Sequence, residues 1–145
     1  MAWRVRGICI AATLLLSASA LAQAPLELYL LHCAGCHRPH GHGAGPDVPS
    51  LHDSLGRLVQ VSGGRAYLVQ VPGVAQSPAT DAELRDILNW VLHRFNGGTL
   101  PPDFSEFTLA EVRDARAVAL PDPARQRAVL WQQVVHAGAA MPNMR

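Results

Sequence analysis

The chain has 145 residues, 49% of them hydrophobic, and a formal net charge of +1. This length fits one domain, and the charge is too small to provide a basic field for binding nucleic acid. All the cations are arginine, which also excludes docking through a ring of lysines.

Residues 1–22 have the pattern of a secretory signal peptide. Arg4 and Arg6 precede an apolar run from Gly7 to Leu16, and small residues follow it. The alternative is an uncleaved membrane anchor, but the run is short for a span of ~20 residues. We expect cleavage before Gln23 and export to the periplasm, with no transmembrane span in the mature chain. Two of the 12 cations leave with the leader, so the mature chain carries ten cations against 11 carboxylates, a formal charge of −1.

The mature chain opens with a predicted helix. Pro25 is favoured in the first turn of a helix. At helical spacing one face then carries Leu26, Tyr29, Leu30 and Cys33. This face leads directly into a pair of cysteines.

The segment Cys33-Ala34-Gly35-Cys36-His37 is the most specific motif of the chain. Its C-x-x-C-H spacing lets two thiols add across both vinyl groups of one haem, with the histidine beneath the iron. Removal of the leader also removes Cys9, so no other thiol remains. An unattached pair would tend to close on itself in an oxidising compartment, whereas thioether attachment prevents this. We therefore expect one covalent haem c on Cys33 and Cys36, with His37 as the proximal iron ligand.

Two other interpretations of the cysteine pair compete with haem attachment. A thioredoxin-like dithiol usually follows a strand and opens a helix, whereas here a short helical stretch precedes the pair and a Gly/Pro-rich loop follows. A zinc or copper site would draw on the histidines near the pair, but structural zinc sites usually add a second ligand pair from a distant segment. These histidines are His32, His37, His40 and His42.

The residues after the motif predict a loop and then two helices. Residues 38–50 are rich in Gly and Pro and allow neither a long helix nor a paired strand. The next stretch is ambiguous, and we predict a short helix from Gly64 to Val69. Thr80 and Glu83 form a capping box that opens a helix from Asp81 to about Phe95. The apolar face of this helix, predicted to pack near the first helix, carries Leu84, Ile87, Leu88 and Val91.

A C-terminal tail, residues 99–145, begins beside the pair Pro101-Pro102. We predict two helices in it, from Thr108 to about Val118 and from Pro123 to about His136. A second capping box opens the first of them, and an Asp-Pro pair opens the second.

The order of these elements resembles that of a monohaem class I c-type cytochrome, over roughly residues 25–98. The resemblance implies an all-α fold, in which residues 23–98 form a small cytochrome c-like domain around the covalent haem and residues 99–145 add a helical extension. In that family a proline after the motif offers its carbonyl to the ring of the proximal histidine, and Pro49 stands at the family's spacing from His37. The other residues expected to contact the haem are Leu51, Tyr67 and Trp90.

The resemblance fails at the sixth position of the iron. The family usually has a Gly-Met-Pro-like turn ahead of the closing helix. This chain has Gly73 to Pro78 there, with Val74 at the usual place of the methionine. Valine cannot coordinate iron, so we expect no strong methionine ligand from this segment. An open position lined by Val74 is one alternative, and the other candidate ligands are Met141, His52 and Gln76.

The resemblance implies a periplasmic protein that carries single electrons between a dehydrogenase or membrane complex and an acceptor. We expect an electron carrier rather than an enzyme, because no nucleophile with a base and no paired carboxylates occur in one short segment. Two alternatives stay open. One is an open-site haem protein that binds NO, CO or peroxide. The other is an interaction subunit whose tail docks on a partner enzyme, although the tail could instead wrap its own core.

Overall fold

The computed structural model describes residues 24–45 and 48–138, so the predicted leader and Met141 lie outside the described residues. The all-α prediction is confirmed, because these residues form helices and loops without a strand. No helix among them is long and apolar enough to cross a membrane. In chain order the helices are α1 (Pro25–His32), α2 (Ala34–His37), α3 (Leu55–Leu58), α4 (Gly64–Gln70), α5 (Pro72–Ala75), α6 (Asp81–Asn96), α7 (Leu109–Arg116) and α8 (Pro123–His136).

Helix α1 starts at Pro25 as predicted and buries two of its residues. Leu28 and Tyr29 are buried, whereas Leu26 and Leu30 are each 45% exposed. The short helix carries leucines on several sides, so periodicity alone could not select the side that packs against α6. Of the face predicted to lead into the cysteine pair, Tyr29 is therefore buried and the two leucines are not.

Helix α6 forms as predicted and extends one residue further, to Asn96. The Thr80 hydroxyl accepts a hydrogen bond from the Glu83 backbone N–H (3.2 Å), and the Glu83 carboxylate accepts one from the Thr80 N–H (2.7 Å). Two donors at the start of the helix are thereby satisfied. The predicted apolar face is buried, and α6 packs against α1. The buried residues of α6 are Leu84, Ile87, Leu88, Asn89, Val91, Leu92, Phe95 and Asn96.

The middle of the chain contains the predicted short helix, now α4. Gly63 precedes it in the left-handed conformation (φ +79°), and glycine adopts this conformation at little cost. A Cβ atom on Gly64 would overlap the carbonyl oxygen of Leu58, so glycine is also required there for α3 and α4 to approach. Sequence analysis did not predict α5, a single helical turn that begins at Pro72.

The C-terminal tail packs on the helices that precede it. Helix α7 contacts α4 and α6, and α8 contacts α3 and α4. The buried Asn89 side chain exchanges two hydrogen bonds with the backbone of Phe107 (2.8 and 3.1 Å). The Arg65 guanidinium donates to both carboxylate oxygens of Glu111 (2.6 and 2.7 Å) and lies 4.1 Å from the Phe107 ring centroid. In the described residues the tail therefore packs on its own core, while docking on a partner enzyme stays an open alternative.

Candidate haem site

The two thiols of the motif lie one helical turn apart. Cys33 links α1 to α2, and its carbonyl accepts hydrogen bonds from the backbone N–H groups of Cys36 (3.2 Å) and His37 (2.9 Å). Both thiols are free, Cys33 partly buried and Cys36 exposed. The turn therefore presents two thiols together, with the imidazole of His37 on the following residue.

The electrostatic environment of Cys33 does not suit a redox dithiol. Burial, together with the neighbouring Cys36, raises the pKa of its thiol to about 11. Dithiol oxidoreductases instead depend on a cysteine whose pKa is lowered, because the thiolate is the nucleophile. Cys33 is a neutral thiol at ordinary pH, which argues against the dithiol interpretation.

The histidines near the motif do not converge on one point. His42 stacks on His52, with ring centroids 4.7 Å apart, and the His52 Nε2 lies 2.5 Å from the His40 carbonyl oxygen. His52 also packs on Phe95, with ring centroids 4.8 Å apart. Within residues 24–45 and 48–138, no group of three or more His, Cys, Asp or Glu side chains could hold a metal ion. His52 is thus engaged with His40, His42 and Phe95 in this structure.

The His37 imidazole is partly buried beside Pro49. Burial lowers the pKa of the ring, and the Pro49 carbonyl partly opposes this effect. The ring is therefore neutral at ordinary pH, which is the form that binds a metal. Its Nδ1 is fully buried and has no partner at hydrogen-bond geometry. Pro49 thus lies beside the ring, while a hydrogen bond between its carbonyl and Nδ1 stays a prediction.

A glycine turn brings Pro49 back toward His37. Gly43 has a φ of +73°, and its N–H donates to the His37 carbonyl (3.3 Å). A Cβ atom on Gly43 would overlap the Val48 carbonyl oxygen and lie 2.9 Å from that of Pro49. A larger residue would therefore push Pro49 away from His37.

Asn96 fixes the same loop from the end of α6, a role that sequence analysis missed. The side chain is 1% exposed. Its Oδ1 accepts hydrogen bonds from the N–H groups of Leu55 (3.0 Å) and Gly56 (3.1 Å), and its Nδ2 donates to the Leu51 carbonyl (2.9 Å). Its position in Asn-Gly-Gly indicated only a helix end. Leu51, an expected haem contact, is thereby held by its backbone.

An aromatic cluster joins the motif helix to α6. The ring of Tyr29 lies 5.1 Å from that of Trp90 and 5.7 Å from that of Phe95. The buried Tyr29 hydroxyl donates to the carbonyl of Arg38, just after the motif (2.6 Å). Trp90 is partly exposed and packs on Tyr29, while Tyr67 is buried in α4. Contact of Trp90 and Tyr67 with a porphyrin stays a prediction.

The segment expected on the distal side of the iron contains α5 and the residues up to α6. Val74 is partly buried and packs against the core, and its carbonyl accepts a hydrogen bond from the Ser77 N–H (3.1 Å). Gln76 is exposed at the end of α5. The described residues contain no methionine. Among them, therefore, no thioether is available as a sixth ligand.

Comparison with known proteins relates this chain to a cytochrome. No protein-family model matches the chain. Cytochrome c-552 of Thermus thermophilus is 32% identical to it over 127 residues. The match covers 75% of this chain and 86% of that protein, so the similarity spans most of both chains rather than a single motif.

Proposed function

The chain belongs to the c-type cytochromes, and we propose that it is a monohaem member of class I that carries single electrons in the periplasm. The observation that carries this proposal is the turn from Cys33 to His37, with two free thiols and a neutral imidazole, in a chain related to cytochrome c-552. We propose residues 1–22 as its signal peptide, 23–98 as its haem domain and 99–145 as its extension. The donor would be a dehydrogenase or membrane complex.

The residues of the turn fit a covalently attached haem. Cys33 and Cys36 would hold the porphyrin as thioethers, and His37 would bind the iron as a neutral imidazole. The bound haem supplies the one-electron chemistry, and the protein supplies attachment, orientation and electrostatics. The orphaned Nδ1 of His37 would donate to the Pro49 carbonyl, which fixes the tautomer and raises the basicity of the ligand.

We propose further that the sixth position of the iron has no strong ligand from the segment before α6. Val74 supports this, because its side chain has no lone pair to offer. This feature favours a second candidate function, the binding of a small ligand such as NO, CO or peroxide. Met141 would favour the electron-carrier role if it closed the position from the tail.

Haem attachment can be tested by extraction with acid acetone. We expect the haem to stay with the purified protein and to be lost, wholly or in part, in Cys33→Ala and Cys36→Ala. Cys9→Ala, in the proposed leader, is the matched control and should leave the haem content unchanged. Haem that is extracted from the unmodified protein would overturn the proposal.

Absorption spectra separate the electron carrier from the ligand-binding protein. We expect a ferric spectrum without a far-red methionine-to-iron band and a ferrous spectrum that shifts with CO. A strong band without a CO shift would overturn the open position. The chain should then be truncated after Gly138, and loss of the band on truncation would identify a ligand in the tail.

A further inference from the structure

One arginine of the tail holds the segment between α5 and α6. The Arg116 Nε donates to the carbonyl of Ala75 (2.9 Å), and its Nη2 donates to that of Ser77. Its Nη1 donates to the carbonyl of Ala79 and to the carboxylate of Asp81, each at 2.9 Å. A single guanidinium thus binds three alternate carbonyls and a carboxylate of one continuous segment, 35 to 41 residues away in sequence.

The chemistry of this contact requires arginine. The Arg116 side chain is 22% exposed and that of Asp81 is 33% exposed, so the pair is partly shielded from water. Ser77 and Ala79 are buried, and their carbonyls need a partner because a buried backbone group without one is costly. The planar fork of arginine has five donors in fixed directions, whereas lysine offers a compact point charge.

Arg116 reaches the segment from a fixed support. Helix α7 packs on α4 and α6, and the bidentate pair between Arg65 and Glu111 ties it to α4. Motion of the segment relative to the core would therefore require breaking the contacts of Arg116 or lifting α7. The hydrogen bonds of Arg116 to residues 75–81, here called the clamp, connect the tail to the segment that starts directly after Val74.

We propose that Arg116 is a positioning residue for the distal side of the haem: it holds residues 75–81 in place and so fixes Val74 over the sixth position of the iron. This inference rests on the proposed haem function. The residue does not touch the iron site and acts through the segment. Without the clamp, the segment opens more often and small ligands reach the iron faster.

The test uses the haem-loaded protein in two measurements. Hydrogen exchange followed by mass spectrometry reports the amides of Gln76, Ser77 and Ala79, which are hydrogen-bonded in the structure. Stopped-flow absorption reports the rate of cyanide binding to the ferric protein, a reaction that proceeds at an open or a weakly ligated iron. We expect Arg116→Ala to raise both rates by about tenfold or more, since charge-assisted hydrogen bonds are the strong ones. Arg116→Lys should give an intermediate effect.

Glu111→Gln is the matched control, because it weakens the other ion pair of α7 without touching residues 75–81. We expect less than about a twofold change in either rate for this variant, in line with the modest energies of partly exposed pairs. Equal effects of Arg116→Ala and Glu111→Gln would show that Arg116 only stabilises the tail, and would overturn the proposal. Unchanged cyanide kinetics in Arg116→Ala would overturn it as well. Absence of covalent haem would instead overturn the proposed function, and acid acetone identifies that case.

Discussion

Replacing Asn96 by alanine removes the side chain that connects α6 to residues 51–56, which follow the loop after His37. Three of its hydrogen bonds reach across the fold, from the N–H groups of Leu55 and Gly56 and to the carbonyl of Leu51. Leu55 and Gly56 open α3, so their N–H groups have no partner within the helix. Asn96→Ala therefore leaves two donors and one acceptor without partners.

The cost of this change follows from the burial of the site. Asn96 is 1% exposed, and both Leu55 and Gly56 are buried. Each unsatisfied buried group costs about 1–3 kcal/mol, and partial entry of water recovers some of that loss. We expect the free energy of unfolding to fall by about 3–5 kcal/mol, at the upper end for single substitutions.

The assay is urea unfolding of the haem-loaded protein, followed by circular dichroism. Asn89→Ala is the matched control, because Asn89 is also a buried asparagine of α6, but its two hydrogen bonds go to Phe107 in the tail. We expect Asn89→Ala to lower the free energy of unfolding by about 2 kcal/mol and to leave the haem spectrum unchanged. Asn96→Ala should lower the free energy of unfolding and also change the haem spectrum. A loss below about 1 kcal/mol in Asn96→Ala would refute this reasoning.

Three further predictions concern the core, the loop and the tail. Leu88→Asp buries an unpaired carboxylate and should lower the free energy of unfolding, measured by thermal unfolding, by about 3–5 kcal/mol. Leu30→Asp, on the exposed side of α1, should lower it by less than about 1 kcal/mol. Equal losses would contradict the buried position of Leu88 and the exposed position of Leu30. Gly43→Ala should lower the yield of haem-loaded protein, because its Cβ would overlap a carbonyl oxygen. The control Gly45→Ala, also at positive φ but with nothing within 4 Å, should bear only the backbone strain of about 1–2 kcal/mol. A normal yield of Gly43→Ala would argue against the loop geometry. The arginine partner of Glu111 lowers the pKa of this carboxyl below its ordinary 4.5, so the pair stabilises the fold above that pH. Its contribution, about 1 kcal/mol, is lost as the pH falls through the lowered pKa. Glu111→Gln should remove this part of the pH dependence of stability, and an unchanged acid unfolding profile would contradict the prediction.

The longer helices could be predicted from sequence because their start signals are local, whereas the single turns α3 and α5 were not predicted. The capping box of α6 is complete, and α4 and α8 begin where Gly64 and Pro123 predicted. The second capping box forms only by half. The Thr108 hydroxyl accepts from the Glu111 N–H (3.2 Å), but the Glu111 carboxylate binds Arg65 instead of turning back. An ion pair with a residue distant in sequence thus replaces one of the two hydrogen bonds that the capping-box pattern predicts.

The remaining features depend on contacts between distant parts of the chain. Asn96 reaches residues 40 to 45 positions away, and Arg116 reaches 35 to 41. Asn96 lies in a helix-ending signal and Arg116 in no motif, and no spacing rule connects either residue to its distant partners. The buried side of α1 depends on a distant contact in the same way, since the Tyr29 ring packs on Trp90 and Phe95 of α6. The C-x-x-C-H motif itself is local, which is why sequence alone could propose Cys33 and His37 as haem-binding residues.

The mass of the intact, exported protein under denaturing conditions tests the central claim most directly. The account predicts the mass of residues 23–145 plus one haem, because thioether bonds survive denaturation while a ligand bond to iron does not. In Cys33→Ala combined with Cys36→Ala, the added mass should disappear. A mass equal to the polypeptide alone, with the two thiols free or joined in a disulfide, would contradict the assignment of this protein as a carrier of covalent haem.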